Sequence, residues 1–138
     1  MLGDIIYGTK INKLIGTRLI SIEGEIPKID VTISQEGILK ASMDATSLVT
    51  FWSELQKDGP IYAEGQGVLI LKDDRAATAT WIGKGIAHYQ NQTRRDVGSV
   101  FFKSSNNDKL PFLNNIVGAF EYEILEEGTS KGKIWEWK

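Results

Sequence analysis

The sequence predicts an all-β fold, a single antiparallel barrel of about eight strands over residues 1–138 with at most one or two short helical turns. Fourteen glycines against three prolines punctuate short runs rich in Ile, Val, Thr, Phe, Tyr and Trp, the composition of strands joined by turns. Seven or eight such runs follow one another, and no long helical pattern accompanies them to cover a sheet face. An open sheet of that size leaves its edges free to pair with other chains. Closure on itself is the economical answer, and a barrel is favoured over a two-sheet sandwich.

The first strand candidate runs from Lys10 to Glu23. Next, Ile29, Val31 and Ile33 alternate with Asp30, Thr32 and Ser34, which gives a strand one apolar and one polar face. A turn is expected at Gln35-Glu36-Gly37, with Ile38 to Met43 returning beside it. Segment 46–57 reads two ways. Leu48, Val49, Phe51, Trp52 and Leu55 fall on a helical stripe with Asp44, Thr46 or Ser47 as caps, but a strand from Val49 also leads into a tight turn at Lys57-Asp58-Gly59. Strands follow at Ile61 to Lys72, Ala76 to Tyr89 and Val97 to Lys103. A helical turn fits Leu110 to Leu113, ended by Asn114 or Asn115 in the left-handed conformation, and would plug one end of a barrel. Phe120, Tyr122 and Ile124 then alternate with Glu121 and Glu123, and Lys131 to Trp137 closes a hairpin. Folding about Gly128 sets Glu123 opposite Lys133 and Tyr122 opposite Ile134.

The stretch Glu64-Gly65-Gln66-Gly67 and its counterpart Ile82-Gly83-Lys84-Gly85 are symmetric about Arg75. A hairpin centred there pairs Gly67 with Gly83 and Gly65 with Gly85, so four positions without side chains share one face with Trp81. That face is uniformly small or apolar and is expected to point inward. It then curves the barrel, with aromatic side chains covering the bare backbone, or leaves an apolar hollow beside Trp81, Phe120 and Tyr122 that suits a small apolar ligand. Val68, Ile70, Ile82 and Ile86 would then form an outward apolar stripe, most simply explained as the interface of a homo-oligomer. The opposite assignment places Tyr62, Glu64, Gln66 and Lys84 inside the barrel, where buried unlike charges shift one another's pKa values and suit acid/base chemistry.

Other chemistry is mostly excluded. With no cysteine and His88 as the single histidine, thiolate sites, iron–sulfur ligation and two-histidine metal sites are ruled out, and no cofactor is expected. His88 with Ser42, Ser99 or Asp96 lacks the local context of a nucleophilic triad. Glu121 and Glu123 read as surface carboxylates on the solvated side of their strand. Sixteen Lys plus Arg against eighteen Asp plus Glu give a formal charge of −2, so neither nucleic acid nor a membrane is an expected partner. Arg94-Arg95 near Lys103 reads as a solvated loop, and Trp135 with Trp137 as a seal for a barrel end or a subunit contact. No apolar run approaches the length of a membrane span or a secretion signal, which points to the cytoplasm.

The runs Tyr62-Ala63-Glu64-Gly65-Gln66-Gly67 and Ala79-Thr80-Trp81-Ile82-Gly83-Lys84-Gly85-Ile86, with Leu113-Asn114, Phe120-Glu121-Tyr122-Glu123 and the tail Gly132-Lys133-Ile134-Trp135-Glu136-Trp137-Lys138, resemble an uncharacterised family of small prokaryotic β-barrel proteins. In its rhythm of glycine-marked strands the chain is also similar to the allene oxide cyclase and dirigent type of barrel. The resemblance implies an eight-stranded barrel and a strand around Phe51-Trp52. Allene oxide cyclases bind an apolar oxylipin inside the barrel and tend to form oligomers, but no catalytic residue carries over by position. Three readings follow for the interior: a binding site for a small apolar molecule lined by Gly65, Gly67, Trp81, Gly83, Gly85, Phe120 and Tyr122; an isomerase or cyclase-like site built on Tyr62, Glu64, Gln66 and Lys84; or a filled oligomeric scaffold without ligand.

Overall fold

Eight antiparallel strands close in chain order into one up-and-down barrel, with the first strand pairing to the last. The structure, a computed structural model, describes residues 2–105, 109–125 and 130–138. The strands are β1 (Leu2–Glu23), β2 (Ile26–Leu39), β3 (Met43–Leu55), β4 (Ile61–Leu71), β5 (Thr78–Gln90), β6 (Thr93–Ser104), β7 (Ile116–Ile124) and β8 (Ser130–Trp137), and Pro111–Leu113 forms a 3₁₀ turn. Segment 46–57 is strand as far as Leu55 and then enters the turn. Ala45, Ser47 and Val49 are buried while Leu48 between them is exposed, a period of two that overrides the helical stripe.

Three reversals differ from the expected pairing. β2 continues through Gln35-Glu36-Gly37 because Gln35 and Gly37 face the interior, and the ring of Tyr7 lies across Gly37 where a Cβ would sit 2.5 Å from the hydroxyl oxygen. The turn comes instead at Lys40–Ser42. Lys40 and Ala41 have φ of 51° and 61°, and two consecutive positive values match the twist of a tight hairpin. In the glycine hairpin, Gly65 faces Gly83, Gly67 faces Trp81 and Ala63 faces Gly85. The pairing is centred on Asp74, whose carbonyl accepts from Ala77 N at 2.9 Å and whose carboxylate accepts from Ala76 N at 3.1 Å. In the closing hairpin Glu123 faces Lys131, Tyr122 faces Gly132 and Phe120 faces Ile134. A Cβ at residue 132 would run into the Tyr122 ring, so the glycine belongs opposite Tyr122. Gly128 and its neighbours at 126–129 lie outside the described residues.

Each of the two hairpin shifts is by two residues, so every side chain stays on the face its alternation assigns. The glycine face is therefore inward. Gly37, Gly65, Gly67, Gly83, Gly85, Gly98, Gly118 and Gly132 all lie in phase with buried interior positions, and at Gly37, Gly67, Gly85, Gly98 and Gly132 an aromatic ring occupies the space a Cβ would take. A Cβ at Gly67 would lie 2.5 Å from Nε1 of Trp81, and one at Gly85 2.8 Å from Cζ of Phe120.

The two ends of the barrel differ. One carries the Lys40–Ser42 turn, the β4–β5 loop and the 3₁₀ turn, and Leu39, Leu71, Ala77, Phe102, Leu110 and Leu113 pack there into a closed core. Leu110 and Leu113 are fully buried, so the short helical segment does plug this end. At the other end β1 and β2 continue past the barrel. β1 pairs with β8 only from Leu2 to Gly8, whereas its pairing with β2 extends to Glu23.

Gly67→Ala is expected to cost about 1–3 kcal/mol, because its methyl group must displace the Trp81 ring. Leu113→Ala is expected to cost about 2–5 kcal/mol through the cavity left in the plug. Urea unfolding of both variants checks these values, and a loss below about 0.5 kcal/mol for Gly67→Ala would mean the ring is free to move aside.

Candidate functional site

The interior between the plugged end and the opposite rim is walled but not filled. A cavity of about 140 Å³ lies there, lined by β1–β8 residues that include Tyr7, Gln35, Val49, Phe51, Gly65, Trp81, Gly83, Gly85, Phe120, Tyr122 and Ile134. Six of the seven positions expected to line a binding site, Gly65, Trp81, Gly83, Gly85, Phe120 and Tyr122, are brought together on its wall. Gly67 lies beneath the Trp81 ring, in a groove on the other side of the wall.

The wall is two-sided in chemistry. Val49, Phe51, Leu69, Trp81, Val100 and Phe120 form an apolar half with the glycine strip. Polar groups gather around β1, β2 and β7. The Tyr122 hydroxyl donates to Asn12 Oδ1 at 2.6 Å and lies 3.0 Å from Ser130 Oγ. Burial raises its pKa, partly offset by hydrogen bonds from Ser130 and Gln35. Gln35 and Ser47 are buried polar side chains on the same wall. Tyr7 is buried, at 3% exposed. Its hydroxyl is the one buried side-chain polar atom among the described residues that has no hydrogen-bond partner. Burial first, and the neighbouring Tyr122 second, push its pKa above the ordinary tyrosine range, so it remains a neutral donor and acceptor.

Arg94 and Asp96 stand toward the open end. The expectation of a solvated Arg94-Arg95 loop is corrected here: Arg94 is on β6 and turned inward, while Arg95 points out to Glu121 at 3.1 Å. Arg94 Nη2 and Nε donate to the Asp96 carboxylate at 3.0 and 3.2 Å, and both side chains are 14% exposed. Sequence reasoning passed over this pair, as it did Tyr7 and Gln35. The available signal was that Arg94, Asp96, Gly98, Val100 and Phe102 alternate in step and so share the inward face.

Tyr62, Glu64, Gln66 and Lys84 are on the outside of the barrel. Lys28 Nζ sits 4.0 Å from the Trp52 ring, that ring 5.5 Å from Tyr62, the Tyr62 hydroxyl 2.7 Å from Glu64, and Glu64 3.6 Å from Lys84. This is a chain of contacts across and along strands on a solvated face, where water and salt screen each ion pair. It is not an interior acid/base site. On the same outer surface, Ile82 and Ile86 are exposed, whereas Val68 and Ile70 are half-buried. His88 is exposed opposite Arg95, and Glu123 pairs with Lys131 at 3.9 Å. Trp135 and Trp137 pair in register with Ile5 and Leu2, out of phase with the interior, so they do not cross a barrel end.

Among the described residues no cluster of His, Asp and Glu is arranged to hold a metal ion, and no helix is long and apolar enough to cross a membrane. Comparison of the chain with protein-family models, curated proteins and solved structures finds no match. The reading of the site therefore rests on its own geometry.

Burial raises the Asp96 carboxyl above its ordinary value of 3.8, against the opposing pull of Arg94. A carboxyl raised on folding binds its proton more tightly in the native state, so its contribution to stability falls as pH rises from the unfolded value through the folded one. The stability of the native chain relative to Asp96→Asn is expected to decline with rising pH over that interval, as read from paired unfolding curves between about pH 3 and pH 7. A difference that grows with pH would show that Arg94 dominates instead.

Proposed function

We propose that this barrel is a cytoplasmic binding protein for a small, largely apolar molecule carrying one hydrogen-bonding group. The observation that carries the reading is a mostly apolar cavity walled in part by Tyr7, whose buried hydroxyl has no hydrogen-bond partner. An unpaired buried hydroxyl costs roughly 1–3 kcal/mol, and a ligand oxygen or nitrogen placed against it recovers that cost. An eight-stranded barrel has room for one small ligand. A volume of about 140 Å³ matches a single ring or a short chain, since cavities near 150 Å³ accept benzene.

The glycine strip and the Trp81 and Phe120 rings give the ligand a flat apolar wall, and Tyr7, Gln35 and Ser47 orient its polar end. The similarity in strand rhythm to allene oxide cyclases favours an apolar occupant and assigns no residue a role. The isomerase reading loses its proposed polar residues to the outer face. A filled scaffold fits less well, because the space beside the glycines is open.

Native mass spectrometry of the purified protein, set against its denatured mass, is expected to show a bound small molecule released on unfolding. Tyr7→Phe separates binding from packing. Loss of the hydroxyl is expected to leave the empty barrel as stable or up to about 1 kcal/mol more stable, while weakening retention of the ligand by about tenfold or more. A bare native mass, together with a Tyr7→Phe variant that is destabilised, would remove the binding reading.

A further inference from the structure

The part of β1 and β2 that stands past the barrel is an amphipathic hairpin with one face uncovered. On β2, Pro27, Ile29, Val31 and Ile33 take the inward phase and Lys28, Asp30, Thr32 and Ser34 the outward one. A simple alternation along β1 would spoil the match. Register shifts at Thr9/Ile11, Leu14/Gly16 and Leu19/Ser21 each insert one residue, and these bulges re-phase the strand so that Leu14 faces Ile33, Leu19 faces Ile29 and Ile22 faces Pro27. Leu14, Leu19 and Ile22 are nevertheless 63%, 56% and 62% exposed. The charges lie on the other side, where Arg18 reaches Asp30 at 3.1 Å.

We propose that two copies of this chain associate through the inner faces of these arms about a two-fold axis. The two observations that select a second copy are area and charge. Leu14, Leu19 and Ile22, with the partly exposed Ile29 and Val31 and the exposed bulge residues Ile15 and Ile20 inserted between them, offer on the order of 400–600 Å² per copy, so that a pair withdraws roughly 800–1,200 Å², the low end for a specific interface. No charged side chain sits on that face between Leu14 and Ile22, so closing it strips no ion of water. A formal charge of −2 leaves little repulsion between copies, and an isologous contact supplies each face with its own complement. The same charge pattern, with both signs present and no basic run, gives a lipid surface no electrostatic hold. The outer stripe at Ile82 is a weaker candidate because Thr80 and Lys84 interrupt it.

The proposal is independent of ligand binding. Sedimentation of the purified chain is expected to give a dimer, and Leu19→Lys is expected to halve the mass while circular dichroism and the melting profile of the barrel stay as they are. Ile82→Lys should remain dimeric. Because the chain has no cysteine, Leu19→Cys adds a single thiol that is expected to yield a covalent dimer under mild oxidation, whereas Ile82→Cys is not. That second readout stands even if the lysine variant fails to fold. A wild-type monomer at the highest attainable concentration overturns the proposal, whether or not it binds phosphatidylcholine vesicles. So does a dimer lost in Ile82→Lys and kept in Leu19→Lys.

Discussion

The contact between aromatic rings and bare backbone organises this barrel. Tyr7 lies over Gly37, Trp81 over Gly67, Phe120 over Gly85 and Gly98, and Tyr122 over Gly132. Each ring rests in space that any Cβ would occupy, so the rings lie against the wall and do not meet in the middle. A barrel of the same strand number with alanines at those positions would push the rings inward and fill its own centre. The hollow follows from where side chains are missing, and the registers of β4–β5 and β7–β8 follow from the need to keep each ring over its glycine.

A packed core and a hollow are divided along the barrel axis. The plugged end gathers Leu39, Phe102, Leu110 and Leu113 into a dry core, and it supplies most of the apolar burial. The hollow half carries what a packing optimum would avoid: the orphan Tyr7 hydroxyl, the buried Gln35 and Ser47, and the Arg94–Asp96 pair drawn partly out of water. Groups of this kind cost free energy when the site is empty. Their concentration on one cavity is the feature on which the proposed binding function rests.

β1 answers two demands at once. Its first residues close the barrel against β8, and its remainder forms the arm with β2. The bulges at residues 10, 15 and 20 recur every five residues and add length to β1 relative to β2. They bend the hairpin and keep Leu14, Leu19 and Ile22 on one face, and they also roughen an edge that a foreign strand would otherwise join. Face packing is thereby favoured over edge pairing.

Strand number, closure and the inward face of the glycine hairpin were legible in the sequence, because period-two alternation assigns each side chain a face without knowledge of its neighbour. Pairing partners were not. A shift of two residues preserves every face, so alternation is blind to it, and the choice between registers at Gly67 and Gly132 is made by the Trp81 and Tyr122 rings. The site divided in the same way. Gly65, Trp81, Gly83, Gly85, Phe120 and Tyr122 stood out as one inward set, whereas Tyr7, Gln35 and Arg94 became part of it only when β1 reached β8 across nearly the whole chain. What the sequence determined by itself was which residues turn inward. Which of them meet, and that they meet around a hollow, was decided by the closure of the barrel, since contact between residues more than a hundred positions apart depends on register and curvature that no local pattern encodes.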